Sequence, residues 1–287
     1  MPNSILRSPI VIDDIMQVFS YGFMCRAFMV GIAISICSAL LGVPLVLKRF
    51  SMMGDGLSHV AFGTLSIAMA THDSPLLISL PIVILCSFLL LNLSQKSKLH
   101  GDAAIALIST SSLSIGVLVL SVTTGMNTDV CNFLFGSILG MSNTDVYVSL
   151  VMCAVILIAY ILMYQRIFAT TFDEAFAKAS GINVKMCSLF ISLMMSIIIV
   201  LGMRMMGALL ISNLIVIPAL TSMRIFKTFF SAVLYAVVIS VICFSLGMVT
   251  SYLIETPTGA SIVIFNIVAF ILHAIIGSTL KYVKTTC

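Results

Sequence analysis

Asp55 and His59 stand four residues apart in the run Gly54-Asp55-Gly56-Leu57-Ser58-His59-Val60-Ala61-Phe62-Gly63. On a helix that spacing puts a carboxylate and an imidazole on one face, about one turn apart. Both are ligand types that suit a divalent ion such as zinc or manganese. Ionisable groups inside a membrane span are costly and tend to be functional, so the pair marks a candidate metal path. A capping carboxylate beside a buried, hydrogen-bonded histidine is the alternative reading of the same two residues. Elsewhere, His273 reads as a helix-packing residue, His72 and Asp73 as an exposed loop pair, and His100 and Asp102 as flanks of a span.

The elements that must position this pair follow from composition. Of 287 residues, 61% are hydrophobic and 8% charged, with a mean hydropathy of +1.23. Soluble domains carry roughly a quarter charged residues, so the chain is expected to be an all-α integral membrane protein, a bundle of about eight to nine spanning helices. Its apolar runs are too long for barrel strands and lack their two-residue alternation. Nine candidate spans lie near 18–47, 51–71, 75–94, 103–124, 146–165, 184–202, 205–223, 229–253 and 258–280. The first is long for a single crossing, and Gly42 and Pro44 are expected to break or bend it. The short apolar stretch within 127–145 reads as interfacial or re-entrant. No other stretch is long enough for a second domain, so residues 1–287 form a single transmembrane domain.

Basic residues set the orientation. Lys48, Arg49, Lys96, Lys98, Arg166, Lys178, Lys185, Arg224, Lys227, Lys281 and Lys284 fall on alternate connections and the C-terminus, eleven of the fourteen Lys and Arg. The positive-inside rule places those connections and the C-terminus in the cytoplasm and the N-terminus outside. The net charge of +4 reflects these anchors. No basic face with interleaved aromatics points to nucleic acid, and no cleavage pattern marks a signal peptide.

Several chemistries are excluded. Gly-Lys does not occur, so the chain has no P-loop for ATP. His-Glu-x-x-His and Gly-x-Ser-x-Gly are also absent, and the eight cysteines include no Cys-x-x-Cys. Cysteines within spans and the 19 methionines, Met52-Met53 and Met203-x-Met205-Met206 included, read as packing residues rather than soft-metal ligands.

Between the fifth and sixth spans, Thr170-Thr171-Phe172-Asp173-Glu174-Ala175-Phe176-Ala177-Lys178-Ala179-Ser180-Gly181 carries helix punctuation. Thr171 is a candidate cap, Asp173 and Glu174 suit the N-terminal dipole, and Gly181 can end the helix. Phe172 and Phe176 would share a side. A helix this short needs something to pack against, either its own protein and the lipid interface or a groove in a cytoplasmic partner.

The chain resembles the membrane subunit of metal-importing ATP-binding cassette (ABC) transporters, the permease family for zinc, manganese and iron. The likeness runs from about residue 19 to 280. Its markers are Lys48 through His59, Leu134-Phe135-Gly136 with Asp145, Phe172 through Ala177 with Gly181, Gly207-Ala208-Leu209-Leu210-Ile211-Ser212-Asn213-Leu214-Ile215-Val216-Ile217-Pro218-Ala219, and Glu255-Thr256-Pro257-Thr258-Gly259-Ala260. The Glu255 and Phe-Gly segments are most similar to the family's zinc permeases from Gram-negative bacteria. Gly56, where the family more often has Ala or Thr, and the extension of residues 1–17 depart from the pattern, and Gly56 is expected to loosen its helix.

The resemblance implies two copies of this chain in a bacterial inner membrane, two cytoplasmic ATP-binding subunits that use ATP, and an extracytoplasmic metal-binding protein. Asp55 and His59 would contact the transported zinc, manganese or iron, and no cofactor would stay bound. Phe172, Asp173, Glu174, Phe176, Ala177 and Gly181 would form a coupling helix against the ATPase. Gly207, Ser212, Asn213 and Pro218 are a candidate gate or hinge, with span packing as the alternative, and Glu255 a contact for the delivery protein. Two rival readings are a secondary carrier that needs no ATPase and an intramembrane metalloenzyme, which would require a third ligand and a base.

Overall fold

The computed structural model describes residues 22–71, 75–96, 101–123 and 143–286. Every regular element among them is a helix: α1 (Gly22–Leu47), α2 (Ser51–Ala70), α3 (Pro75–Lys96), α4 (Gly101–Thr123), α5 (Asn143–Phe172), α6 (Glu174–Ala179), α7 (Val184–Met206), α8 (Ala208–Ile225), α9 (Phe229–Ile254) and α10 (Thr258–Thr286). The extension of residues 1–17, most of the 127–145 stretch, and His72, Asp73 and His100 lie outside the described residues.

Seven of the described helices are long and apolar enough to cross a membrane, slightly fewer than the eight to nine expected. The difference has a chemical origin. Asp55, His59 and the serines and glycines of α2 dilute its apolar character, and the apolar part of α3 that qualifies is the shorter run Ile78–Leu93.

Helix α1 is the axis of the bundle. Its Val30, Ile34, Ala39 and Val43 are fully buried, and α5, α7, α8 and α9 all pack against it. The helix continues through Gly42 and Pro44 rather than breaking there. Gly42 serves a close approach, because a methyl group at that position would lie 1.9 Å from the Ile215 carbonyl oxygen of α8. Small residues at such crossings let backbones meet where lipid gives no hydrophobic drive for association.

Helix α2 leans on α4 in the same manner. A Cβ at Gly63 would come within 2.6 Å of the Ser112 carbonyl oxygen, and one at Gly56 within 2.7 Å of Ile105. Gly56 therefore makes room for α4, a role its low helix propensity does not reveal.

The outer helices show the opposite pattern. Leu107, Leu118 and Val122 on α4, Val151, Val155, Ile158 and Leu162 on α5, and Ile264, Ile267, Ile271 and Leu272 on α10 are exposed. In water such faces would aggregate. In a bilayer they are matched to the solvent, as expected for the rim of a membrane bundle.

Candidate metal site

Helix α2 starts at Ser51 behind Phe50, which makes no side-chain cap. Asp55 consequently falls in the second turn and accepts no capping bond, which removes the capping reading of its carboxylate. The His59 Nε2 lies 3.7 Å from Asp55 Oδ2, beyond hydrogen-bond length. Neither group is consumed by the other. Two ligands held ~2.0–2.1 Å from one tetrahedral zinc lie about 3.3 Å apart, so a small side-chain rotation would bring this pair to ligating separation.

Their surroundings differ. The His59 side chain is 17% exposed and that of Asp55 56%. Among the described residues, buried His59 Nδ1 has no hydrogen-bond partner. Met52, Asp55 and Ile67 are open on α2 while its other faces meet α3 and α4. A carboxylate more than half exposed on a helix buried in a membrane bundle cannot face hydrocarbon without large cost. It must look onto a polar path or another polypeptide. Among the described residues no group of three or more His, Cys, Asp or Glu gathers to hold a metal, so the described residues offer two donors at this place.

The turn before α2 is rigid. Phe50 N–H donates to Leu45 O at 2.9 Å and Arg49 N–H to Val46 O at 3.0 Å, the paired bonds of a Schellman motif. Arg49 occupies its left-handed position at φ 61°, where glycine is usual. Just before it, Lys48 is buried and reaches Ser188 of α7 and Glu174 of α6.

The short helix takes a different cap from the one expected. Helix α5 continues through Phe172, so Thr171 lies inside it and donates to Ile167 O at 2.6 Å. Asp173 is the cap, its Oδ1 accepting from Ala175 N–H and Phe176 N–H at 2.9 Å each. Gly181, at φ 80°, closes the helix with a second Schellman pair, Ile182 N–H to Ala177 O and Gly181 N–H to Lys178 O. Ala177 is fully buried beneath it and Phe176 is exposed. Phe172 closes α5 instead, 5.0 Å from Phe168 and 5.9 Å from Phe229 between ring centres.

Gly207 is the single-residue joint between α7 and α8, at φ 86° and ψ 159°, a region open essentially to glycine alone. One turn later, Asn213 Nδ2 donates to Leu209 O at 2.7 Å and Ser212 Oγ to the same oxygen at 3.4 Å. Such back-bonding bends helices. Pro218 is buried within α8 and supplies no N–H to Leu214 O. The four residues thus lie on one joint and one interrupted helix, away from the Asp55–His59 pair in sequence.

Other polar residues resolve into packing. His273 Nδ1 meets Ala269 O and its Nε2 meets Tyr235 Oη, both at 2.7 Å. Both ring nitrogens are thus occupied by groups of its own bundle. Cys37, Cys153, Cys187 and Cys243 are buried and free. Met53 is buried while Met52 is exposed, so the two thioethers diverge. Glu255 caps α9 in a left-handed conformation at φ 56° and stands exposed.

A family model described as the ABC 3 transport family matches residues 20–277. The chain is 28% identical over 246 residues to the high-affinity zinc uptake system membrane protein ZnuB of Haemophilus influenzae, covering 86% of this chain and 94% of that one. It is 26% identical over 248 residues to the manganese transport system membrane protein MntC of Halalkalibacterium halodurans, covering 86% and 85%. Among solved structures, PsaBC from Streptococcus pneumoniae in complex with Fab aligns with a TM-score of 0.86 at 23% identity, covering 96% of this chain and all of the matched chain.

Proposed function

The chain belongs to the ABC 3 transport family, and from that membership we propose that it forms the path by which an ABC importer moves zinc into the cytoplasm. It is a multi-pass metal-transport permease and not itself an enzyme, with ATP hydrolysed by a separate subunit. The observation that carries the metal reading is the Asp55–His59 pair, a carboxylate and an imidazole held one turn apart, with His59 Nδ1 left without a partner among the described residues.

Two donors rarely complete the four-coordinate shell that zinc prefers. A second copy of the chain, facing the first across the open side of α2, would bring the same pair and close a shell of two nitrogens and two oxygens. Weak ligation of this kind suits a site that must release what it takes. Both ligands bind in the deprotonated state, so protons compete with the ion. The metal is cargo, and the reading needs no resident cofactor.

The connections bearing Lys48, Arg166, Lys178 and Arg224 face the cytoplasm in this reading, which brings α6 to an ATP-binding subunit. An extracytoplasmic binding protein delivers the ion at the opposite end, beside Glu255. Manganese is the second reading of the cargo, supported by the likeness to manganese permeases and by ligands that serve either ion.

The test is metal uptake by the assembled transporter in liposomes, with ATP on the cytoplasmic face and loaded binding protein on the other. Asp55→Ala and His59→Ala are each expected to abolish zinc uptake while the complex still assembles. Full uptake by both variants would remove the pair from the path. Uptake by the permease alone, without an ATPase, would favour a secondary carrier.

A further inference from the structure

Lys48 is only 6% exposed in its side chain, an uncommon setting for an ammonium. Its Nζ donates to Ser188 Oγ of α7 at 3.2 Å and faces Glu174 Oε1, the first residue of α6, at 3.7 Å. Burial pushes the ammonium below its ordinary range, and the Glu174 carboxylate acts against that shift. An apolar side chain of similar length would fill the same space without losing hydration, so packing alone gives no reason for a lysine.

The two ends of the contact differ. Glu174 is 54% exposed on a six-residue helix. Lys48 grows from the Schellman turn that fixes the end of α1 to the start of α2, and Asp55 follows seven residues later. A displacement of α6 through this pair bears on a turn closed by two backbone hydrogen bonds.

We infer that Lys48 is a positioning residue for transport, its ammonium tying the ATPase-facing helix α6 to the turn that aims the metal-bearing helix α2. The inference rests on the proposed roles of α6 and of the Asp55–His59 pair. Rearrangement of α6 during the ATP cycle moves the α1–α2 turn through the Lys48–Glu174 contact. The Ser188 bond holds the ammonium against α7 in the meantime.

The experiment uses the whole transporter in liposomes and reads zinc transported per ATP hydrolysed. The proteins compared are wild type, Lys48→Met, Glu174→Gln and the double variant. Each single change is expected to lower that ratio about tenfold, within the usual range for coupled sites, and the double variant is expected to be no worse than either. Glu174→Gln alters an exposed residue, so a folding defect cannot account for its loss. A wild-type ratio in either single variant overturns the inference, as do losses that multiply in the double. If the wild-type complex itself fails to couple zinc uptake to ATP, the functional reading falls together with this one, and the wild-type arm tells the two failures apart.

Discussion

At the scale of single residues, burial and backbone conformation set what each substitution should do. Desolvation lowers the affinity of Lys48 for protons relative to the unfolded chain, whose lysines sit near 10.5, and the Glu174 carboxylate acts against that shift. Between the lowered value and 10.5 the unfolded chain holds the extra proton, so stability should rise with pH across that window. A melting series on the purified protein at increasing alkaline pH should show the rise, and Lys48→Met should flatten it. Gly207→Ala should destabilise by about 1–3 kcal/mol, because the joint holds a conformation that side chains resist; thermal unfolding checks this. The Asp55–His59 pair was readable from its spacing, since two donors four apart need only a helix to be brought together. That no third donor joins them among the described residues was not readable, because it depends on how every other helix turns. The buried seat of Lys48 was hidden for the same reason: in sequence it is one more cytoplasmic anchor beside Arg49.

Among the elements, α6 is the least self-sufficient. Six residues cannot sustain a helix alone in water, so its cap and its single buried methyl at Ala177 carry unusual weight. Asp173→Ala removes the acceptor for two backbone N–H groups and should cost about 1 kcal/mol. The expected readout is weaker co-purification of the ATP-binding subunit, with the transmembrane bundle melting as before. Helix α2 has the opposite vulnerability. Gly63→Leu would drive a side chain into the Ser112 backbone of α4, and protein yield after detergent extraction should collapse, whereas the same change at exposed Ile67 should be tolerated. Most helix limits were legible to within a few residues because apolar runs and Lys or Arg boundaries report them. Helices α5 and α10, however, run six or seven residues past the expected ends at 165 and 280, where polar residues continue the helix. Cap identity was not legible, since Thr171 and Asp173 are both good cap residues and only the length of α5 chooses between them.

For the whole molecule, the interior is organised around α1 while α4, α5 and α10 turn leucines, isoleucines and valines outward. The open carboxylate of Asp55 is out of keeping with that rim, and pairing of two chains along α2 would cover it. Purified transporter should accordingly bind one zinc for every two permease copies at saturation, measured by equilibrium dialysis against zinc, with His59→Ala lowering the bound amount. One dimension of the bundle has a further effect. Helix α5 contains 30 residues and so measures about 45 Å, against a hydrocarbon thickness of about 30 Å. Even at an ordinary tilt it outruns the hydrocarbon, and exposed Arg166 and Phe172 lie in the stretch that leads to α6. The end of α5 is braced where Phe168 and Phe172 lean on Phe229, and α6 follows directly behind it. Where α6 engages a soluble motor, as proposed above, the length of this one helix would set the distance between engine and channel.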